Sequence, residues 1–311
     1  MGKTRKLIQD SRLSLPFFLL LVVVTSSCSL KRYAVNRMGD ALAGSGKTFA
    51  SDDSPELIRA ATPFSLKLIE SLLSESPEHQ GLLLAAARGF TQYSFAFIEQ
   101  DADEVEDEDI GRAMELRAYA RRLYIRARDY GLRGLETSHK GITDELYRNP
   151  EVAVEKLVVE DVPLMYWTAA SWGKAISLSK DVPKLIADLP QMESLIYRAM
   201  ELDEAYDHGA IHSFLIALES TRSGRSLLEQ EKIRDHFERA VQLSDGNLAG
   251  PMVTMAESVS IATQNREEFI QLLNRALSID VDAVPEWRLE NLVMQRRATW
   301  LLSRIDELFI E

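Results

Sequence analysis

Three stretches of equal length decide how this chain folds: Met192 to Asp203 (MESLIYRAMELD), Ile233 to Ser244 (IRDHFERAVQLS) and Phe269 to Asp280 (FIQLLNRALSID). In each, apolar residues recur at i, i+3, i+4, i+7 and i+8, which places them on one helical face. His236 is the single polar intruder on that face. Alanine holds the same slot every time (Ala199, Ala240, Ala276), an arginine precedes it (Arg198, Arg239, Arg275), and Asp203, Ser244 or Asp280 closes the turn. The copies lie 41 and 36 residues apart, near the period of about 34 in tetratricopeptide (TPR) arrays, where a small residue lets the next helix come close.

Working outward, helical periodicity dominates and alternating strand patterns are scarce. A weaker fourth copy is Leu68-Ile69-Leu72-Leu73, followed by Pro77. The expected fold class is therefore all-α, a helical-pair superhelix with cryptic TPR-like repeats, clearest over residues 190–311. The first helix of each pair lacks the Trp-x-x-Leu-Gly signature, so a generic bundle of amphipathic helices stays open as the alternative. Helix starts are marked by Ser54-Pro55, and by the capping-box spacings Ser226 to Glu229 and Asn265 to Glu268. The densest charge run, Glu99 to Asp109 (EQDADEVEDED), lacks the glycine turn and ligand order of an EF-hand loop, and reads as a solvated loop leading into a helix.

The N-terminus has the order of a secretory signal. Lys3, Arg5, Lys6 and Arg12 precede an apolar run from Leu13 to Val24, and Thr25-Ser26-Ser27 leads to Cys28, the only cysteine. That run is shorter than the roughly 20 residues that span a bilayer. Small residues ending in cysteine resemble the lipobox of bacterial lipoproteins, with Thr25 where leucine is commonest. Residues 1–27 are then a lipoprotein signal peptide, 28–33 a short tether and 34–311 a single domain, with Cys28 the lipid attachment. The alternative is an ordinary signal with a free thiol. Cleavage before Cys28 takes 27 residues from 311 and leaves 284, and it removes four cations and Asp10, so the net charge of −12 becomes −15. Such a surface repels nucleic acid, and no basic stripe offsets it. Ser29 follows the cysteine, without the aspartate that holds many lipoproteins at the inner membrane, which favours the periplasm-facing leaflet of the outer membrane.

Motifs with chemical promise are few. Gly44-Ser45-Gly46-Lys47-Thr48 imitates the end of a P-loop, but Ala41 stands where the first glycine belongs and no strand precedes it; Gly44 and Gly46 read as helix-ending glycines. His208 and His212 have zinc-ligand spacing, yet Gly209 occupies the place of the catalytic glutamate and no third ligand is evident. There is no Gly-x-Ser-x-Gly elbow. We expect no enzyme, no cofactor and no metal site. Tyr166, Trp167, Trp172 and Trp287 are candidates for lining a ligand channel or cavity, against the plainer reading of packed core, and Trp300 and Tyr197 are weaker ones.

Several blocks then appear in order: Asn36 with Asp40-Ala41-Leu42-Ala43-Gly44-Ser45-Gly46, Phe49-Ala50-Ser51-Asp52-Asp53, Pro55-Glu56-Leu57, Leu82 to Ala87 with Gly89 to Tyr93, Ala127 to Leu132, Tyr166-Trp167 with Trp172-Gly173, and Gly209 to His212. Together they resemble the T-component lipoproteins associated with TRAP transporters, over nearly the whole mature chain; Ser54 and Thr25 depart from the pattern. The resemblance implies a non-catalytic, periplasm-facing homotrimer on cryptic TPR-like repeats. It would bind the extracytoplasmic solute-binding P-component and help pass ligand to a system that imports organic acids or related small molecules. It gives no residue list for the partner surface. A cell-envelope adaptor unrelated to uptake remains the second reading.

Overall fold

The computed structural model describes residues 35–44, 46–179, 182–221 and 227–310. Among these every regular element is helical and no strand occurs. Helix α1 covers residues 35–43, α2 Gly46–Ala50, α3 Pro55–Glu75 and α4 Gln80–Tyr93. A π-helical stretch, Ser94–Glu99, carries α4 into α5, Gln100–Val105. Then follow α6 (Ile110–Ser138), α7 (Ile142–Arg148), α8 (Pro150–Val154), α9 (Val162–Ser177), α10 (Pro183–Ile186) and α11 (Leu189–Leu202). The C-terminal part holds α12 (Ala210–Ser220), α13 (Leu227–Leu243), α14 (Gly250–Met255), α15 (Arg266–Leu277), α16 (Arg288–Ser303) and α17 (Ile305–Leu308). A second π-helical stretch, Ala256–Ser260, extends α14.

Sequence signals start these helices as expected. Ser54 Oγ accepts from Leu57 N–H at 3.3 Å, with Pro55 in the first turn where its missing N–H costs nothing. Asn265 Oδ1 accepts from Glu268 N–H at 3.1 Å; the return bond runs from Asn265 Nδ2 to the Glu268 carboxylate at 3.4 Å, between side chains. Ser226 lies outside the described residues. Gly44 ends α1 as expected, but Gly46 opens α2. That short helix forms because it packs against residues 285–287 and α16.

The core is layered in chain order. A first layer gathers α3, α4 and α6 around Leu73, Leu82, Leu83 and Tyr124. A second joins the end of α6 to α7, α9, α11 and α12 around Leu135, Met165, Trp172 and Leu195. A third joins α13 to α16 around Ile233, Met252, Phe269 and Leu273. Each such side chain, buried fully, contributes on the order of 1.5–3 kcal/mol. Gly131 lets the first two layers meet: a Cβ there would fall against the Thr168 side chain, so α6 and α9 approach to backbone distance.

The three repeat copies are α11, α13 and α15, and consecutive helices from α11 to α16 pack on one another. Ala199, Ala240 and Ala276 are fully buried. Gly209, at φ +94°, shows what the small slot permits, since a Cβ on it would stand 3.0 Å from Ala240 Cα. The closing polar residues work locally: Asp203 Oδ1 accepts from Ala205 N–H at 3.2 Å and Asp280 Oδ1 from Asp282 N–H at 3.0 Å. Ser244 Oγ instead donates to Ala240 O at 2.9 Å.

The acidic run departs from the sequence expectation. Its middle is helical, as α5, and it faces the far end of the chain. Arg296 pairs with Asp101 and Glu104, Arg297 with Asp103 at 2.6 Å and with Glu257, and Arg304 with Asp107 at 3.1 Å. Arg117 of α6 reinforces the same carboxylates through Asp103 and Glu106. Both π-helical stretches border this seam, one leading into α5 and the other supplying Glu257. Arg288 Nη1 donates to Ser51 O at 2.8 Å, tying the start of α16 to the end of α2. The last layer thus returns to the first through charge, where the other junctions are apolar.

Candidate functional site: a charged aromatic recess

Returning α16 to the N-terminal helices gathers residues from six places in the chain around a solvent-facing recess, in which Asp207, His208 and Glu290 are exposed. Arg88 enters from α4, Tyr166 and Trp167 from α9, Tyr206 to His208 from the turn before α12, and Trp287 and Glu290 from the start of α16. Gly46 of α2 and Gly250 of α14 complete it: a Cβ on the first would sit 3.6 Å from Arg88 Nη1, and on the second 3.6 Å from Glu290 Oε1.

The rings make a continuous lining. Tyr166 stands edge-on to Trp167 with centroids 5.0 Å apart, and 5.4 Å from Tyr206. Across the recess His208 meets Trp287 at 4.7 Å. Asp207 and His208 have φ of +45° and +56°, an uncommon backbone for residues with side chains, and this turn brings both into the recess.

Three charges share the space without pairing. Arg88 Nε donates to Gln92 Oε1 at 3.3 Å. Its guanidinium lies over Trp167, 5.7 Å from the ring centroid. Neither the Glu290 nor the Asp207 side chain has a hydrogen-bond partner among the described residues. Glu290 is solvent-exposed, and partial desolvation by its neighbours, with the charge of Asp207, pushes its pKa up to about 7 against the pull of Arg88. Enclosure and Asp207 likewise push Tyr206 up to about 12, with Trp167 hydrogen-bonded to it pulling the other way. Tyr166 is raised well above the usual phenol range by burial, Asp207, Tyr206 and Glu290.

The residues singled out from sequence are divided by the structure. Tyr166, Trp167 and Trp287 come together here. Trp172 goes elsewhere: it is fully buried in the second layer, 6.0 Å from Tyr147 and under Arg128, with Nε1 donating to Asp188 at 3.3 Å. Trp300 lies under Arg297 and Arg304 in the charged seam. Tyr197 donates to Glu219 in the C-terminal part. His208 faces Trp287, while His212, on α12, turns away to His236, with the two Nδ1 atoms 2.9 Å apart. The pair spaced like zinc ligands therefore does not converge, and among the described residues no group of three or more His, Cys, Asp or Glu is placed to hold a metal ion. Cys28 and Ser45 lie outside the described residues.

Sequence reading missed Arg88, Tyr206, Asp207 and Glu290. Arg88 carried a signal, as the only charge between Leu82 and Ser94. A lone cation in an apolar helix needs either a partner or water. Glu290 carried none, since only the return of α16 places this exposed carboxylate beside Gly250.

Two open hollows lie elsewhere on the surface. One, of about 310 Å³, lies along α6 among Arg122, Arg126 and Arg133 and is open to solvent. Its cations are already engaged, Arg126 with Glu70 and Arg133 with Pro77 O. The other lies on α13 beside Arg239, which pairs with Glu204.

An all-helical, layered body with a solvent-facing aromatic and charged cluster defines the class: a protein that presents surfaces. Comparison with known proteins narrows it. A profile of the TRAP transporter T-component family matches residues 51–309, and the chain belongs to that family. It is also similar to an uncharacterized protein of Treponema pallidum (strain Nichols), 27% identical over 307 residues that cover 93% of this chain and 95% of that protein. Membership makes it an accessory component of a TRAP transporter, outside the known enzyme families. That is consistent with an envelope location. No helix among the described residues is long and apolar enough to cross a membrane.

Proposed function

We propose that this chain is a lipid-anchored, periplasm-facing accessory of a TRAP uptake system that binds the solute-binding P-component and hands ligand through the recess. Diacylglyceryl attachment at Cys28 supplies the anchor, since two acyl chains hold a protein stably where one does not. The periplasmic leaflet of the outer membrane is the favoured address. Helices α11 to α16 act as degenerate TPR-like hairpins, and the working unit is a homotrimer. The observation that carries the reading is the match to the T-component family over residues 51–309, with the aromatic cluster of Tyr166, Trp167 and Tyr206 as the candidate ligand-facing surface.

Affinity capture from envelope extract with the tethered protein, together with light scattering, tests this. We expect the solute-binding protein of the adjoining TRAP operon to co-purify, and a mass of three chains. A monomer that captures no such protein would sink the proposal and favour the second reading, an envelope adaptor unrelated to uptake.

A further inference from the structure

His236 is the polar residue on the repeat face of α13, and α12 answers it with a second histidine. His212 and His236 are both buried, and their Nδ1 atoms stand 2.9 Å apart. One hydrogen must lie between these nitrogens, because two would repel and none would leave lone pairs facing each other. The surroundings decide which ring supplies it. Glu204 Oε2 lies 3.6 Å from His212 Nε2, so that nitrogen carries a hydrogen and His212 accepts at Nδ1. His236 then donates from Nδ1 and keeps Nε2 bare, buried and without a partner.

This arrangement has no place for another proton. On His236 Nε2 it would make a buried cation whose new N–H meets no acceptor, with the Lys232 ammonium nearby. On His212 Nδ1 it would set two N–H groups against each other at 2.9 Å. The other charges about the pair are already engaged or exposed. Arg239 pairs with Glu204, Lys232 with Glu219 at 2.6 Å, and Tyr197 of α11 donates to the same Glu219 carboxylate. Asp235, Asp207 and His208 are exposed. Helix α14, which packs on both α12 and α13, has no titratable side chain, and Glu257 beyond it is held by Arg297.

The parts that the pair joins give its titration a consequence. Helices α12 and α13 pack together, and both pack on the turn at 206–209. A Cβ on Gly209 of that turn would stand 3.0 Å from the Cα of Ala240, one helical turn along α13 from His236. Glu204, just before the turn, is held by Arg239 of the same helix. Tyr206 in the turn meets Tyr166 at 5.4 Å, and Asp207 and His208 keep positive φ. Helix α13 therefore holds a strained turn against the aromatic cluster.

We propose that His212 and His236 form an acid-sensitive latch: neutral, the pair clamps α13 to α12 and to the turn at 206–209, and a further proton releases that junction while the first two layers stay packed. Release frees the turn that carries Tyr206, so one side of the aromatic cluster becomes movable in acid.

Amide hydrogen exchange of the full chain, corrected for the intrinsic rate at each pH, tests the latch. Packed, His236 is held down to about 4 by burial, then by His212 and Lys232, against 6.5 for an open histidine. Going from about pH 7 to about pH 5 should therefore cut the protection of α13 about tenfold or more. Helices α4 and α6 keep theirs, and return to neutral pH restores α13. His236→Gln and His212→Gln each remove the pH dependence, whatever their protection at neutral pH. His208→Gln, which takes away the exposed histidine of the turn, leaves it intact. Circular dichroism melting checks that each variant folds, and either member of the pair suffices for the test.

Equal loss of protection in α4, α6 and α13 overturns the proposal in favour of general acid unfolding. No loss in α13, or an undiminished loss in folded His236→Gln and His212→Gln, overturns it outright. A response that disappears in His208→Gln instead overturns it in favour of the turn. The outcome is separate from the transport reading, since partner capture at neutral pH neither requires the latch nor follows from it.

Discussion

Two junctions in this molecule are built from opposite materials. Between the repeat helices of the third layer, Phe269, Leu273 and Ala276 are sealed from water, and the buried contact is chiefly apolar. Where α16 returns to α5, the contact is made by Arg296, Arg297 and Arg304 against Asp101, Asp103, Glu104, Asp107 and Glu257. The first kind of junction stabilises in proportion to the area buried, and salt affects it little. The second sets register through many directed bonds, contributes modestly in free energy, and weakens as salt screens it. The apolar layers therefore hold the fold, while the ionic seam closes it around the recess.

The largest expected effect lies in the apolar layer. Phe269→Ala empties a fully buried site against Phe309 and should cost about 3–5 kcal/mol in urea denaturation. A loss below 1 kcal/mol would mean the layer is not close-packed. Gly131→Val acts at the junction of the first two layers, where the added side chain drives into Thr168; overpacking of this kind costs about 1–3 kcal/mol.

The seam should respond on a smaller scale and with a different signature. Arg297 is nearly enclosed and holds Asp103 and Glu257, so Arg297→Ala should cost about 1–3 kcal/mol by leaving two carboxylates facing each other. Arg304→Ala, whose partners are exposed, should cost under about 1 kcal/mol. Hydrogen exchange sharpens the contrast: amides of α2 and α16 should lose protection in Arg297→Ala and in high salt, while α11 and α15 keep theirs. Equal loss in all four helices would show that the seam is not a separable unit.

Acid probes the third layer through a buried histidine pair. His212 and His236 are buried side by side; His212 Nε2 lies 3.6 Å from Glu204 Oε2, and His236 Nε2 has no hydrogen-bond partner among the described residues. Burial, then the neighbouring His212 and Lys232, lower His236 to about 4; Glu219 and Asp235 act the other way. His212 is lowered chiefly by burial and by Arg239, against Glu204. A histidine whose folded pKa is depressed binds its proton more readily unfolded, so this stability is complete above about pH 6.5 and is lost as the pH falls toward about 4. His236→Phe should flatten that slope in a pH series of denaturation curves; an unchanged slope would place the acid sensitivity elsewhere.

Glu290 has the opposite sign and the smallest effect. Its raised pKa means the folded chain favours the protonated form, so the contribution is present at low pH and is lost as the pH rises through about 7. Glu290→Gln should therefore raise stability above pH 7, by less than about 1 kcal/mol because solvent reaches the group. A stability that falls instead would show that the carboxylate has a cationic partner in the free protein.

Much of the fold was legible in one dimension. The helical period, the alanine slot of the three copies and the capping residues Ser54 and Asn265 all rest on local geometry, where spacing along the chain fixes spacing in the helix. The same holds for the blocks Leu82 to Tyr93, Ala127 to Leu132 and Tyr166 to Gly173, which lie on α4, α6 and α9, helices that pack together. Of the aromatic candidates, Tyr166, Trp167 and Trp287 share the recess and Trp172 does not. Aromatic character marks a residue for enclosure but does not say whether protein or water fills the space beside it.

The remainder depended on closure. Nothing in the run from Glu99 to Asp109 says that its carboxylates answer arginines some 190 positions later. Sequence by itself determined the helices, their apolar faces and the family to which they belong, because these follow from periodicity and from ordered local blocks. Only the tertiary structure decided that the start of α16 lies beside α2 and that Arg88 lies over Trp167. It also decided that His208 and His212 part ways, one at each side of a left-handed turn. The physical reason is that a pKa, an unpaired charge and a cavity are properties of what surrounds a residue, and here the surroundings are assembled from both ends of the chain.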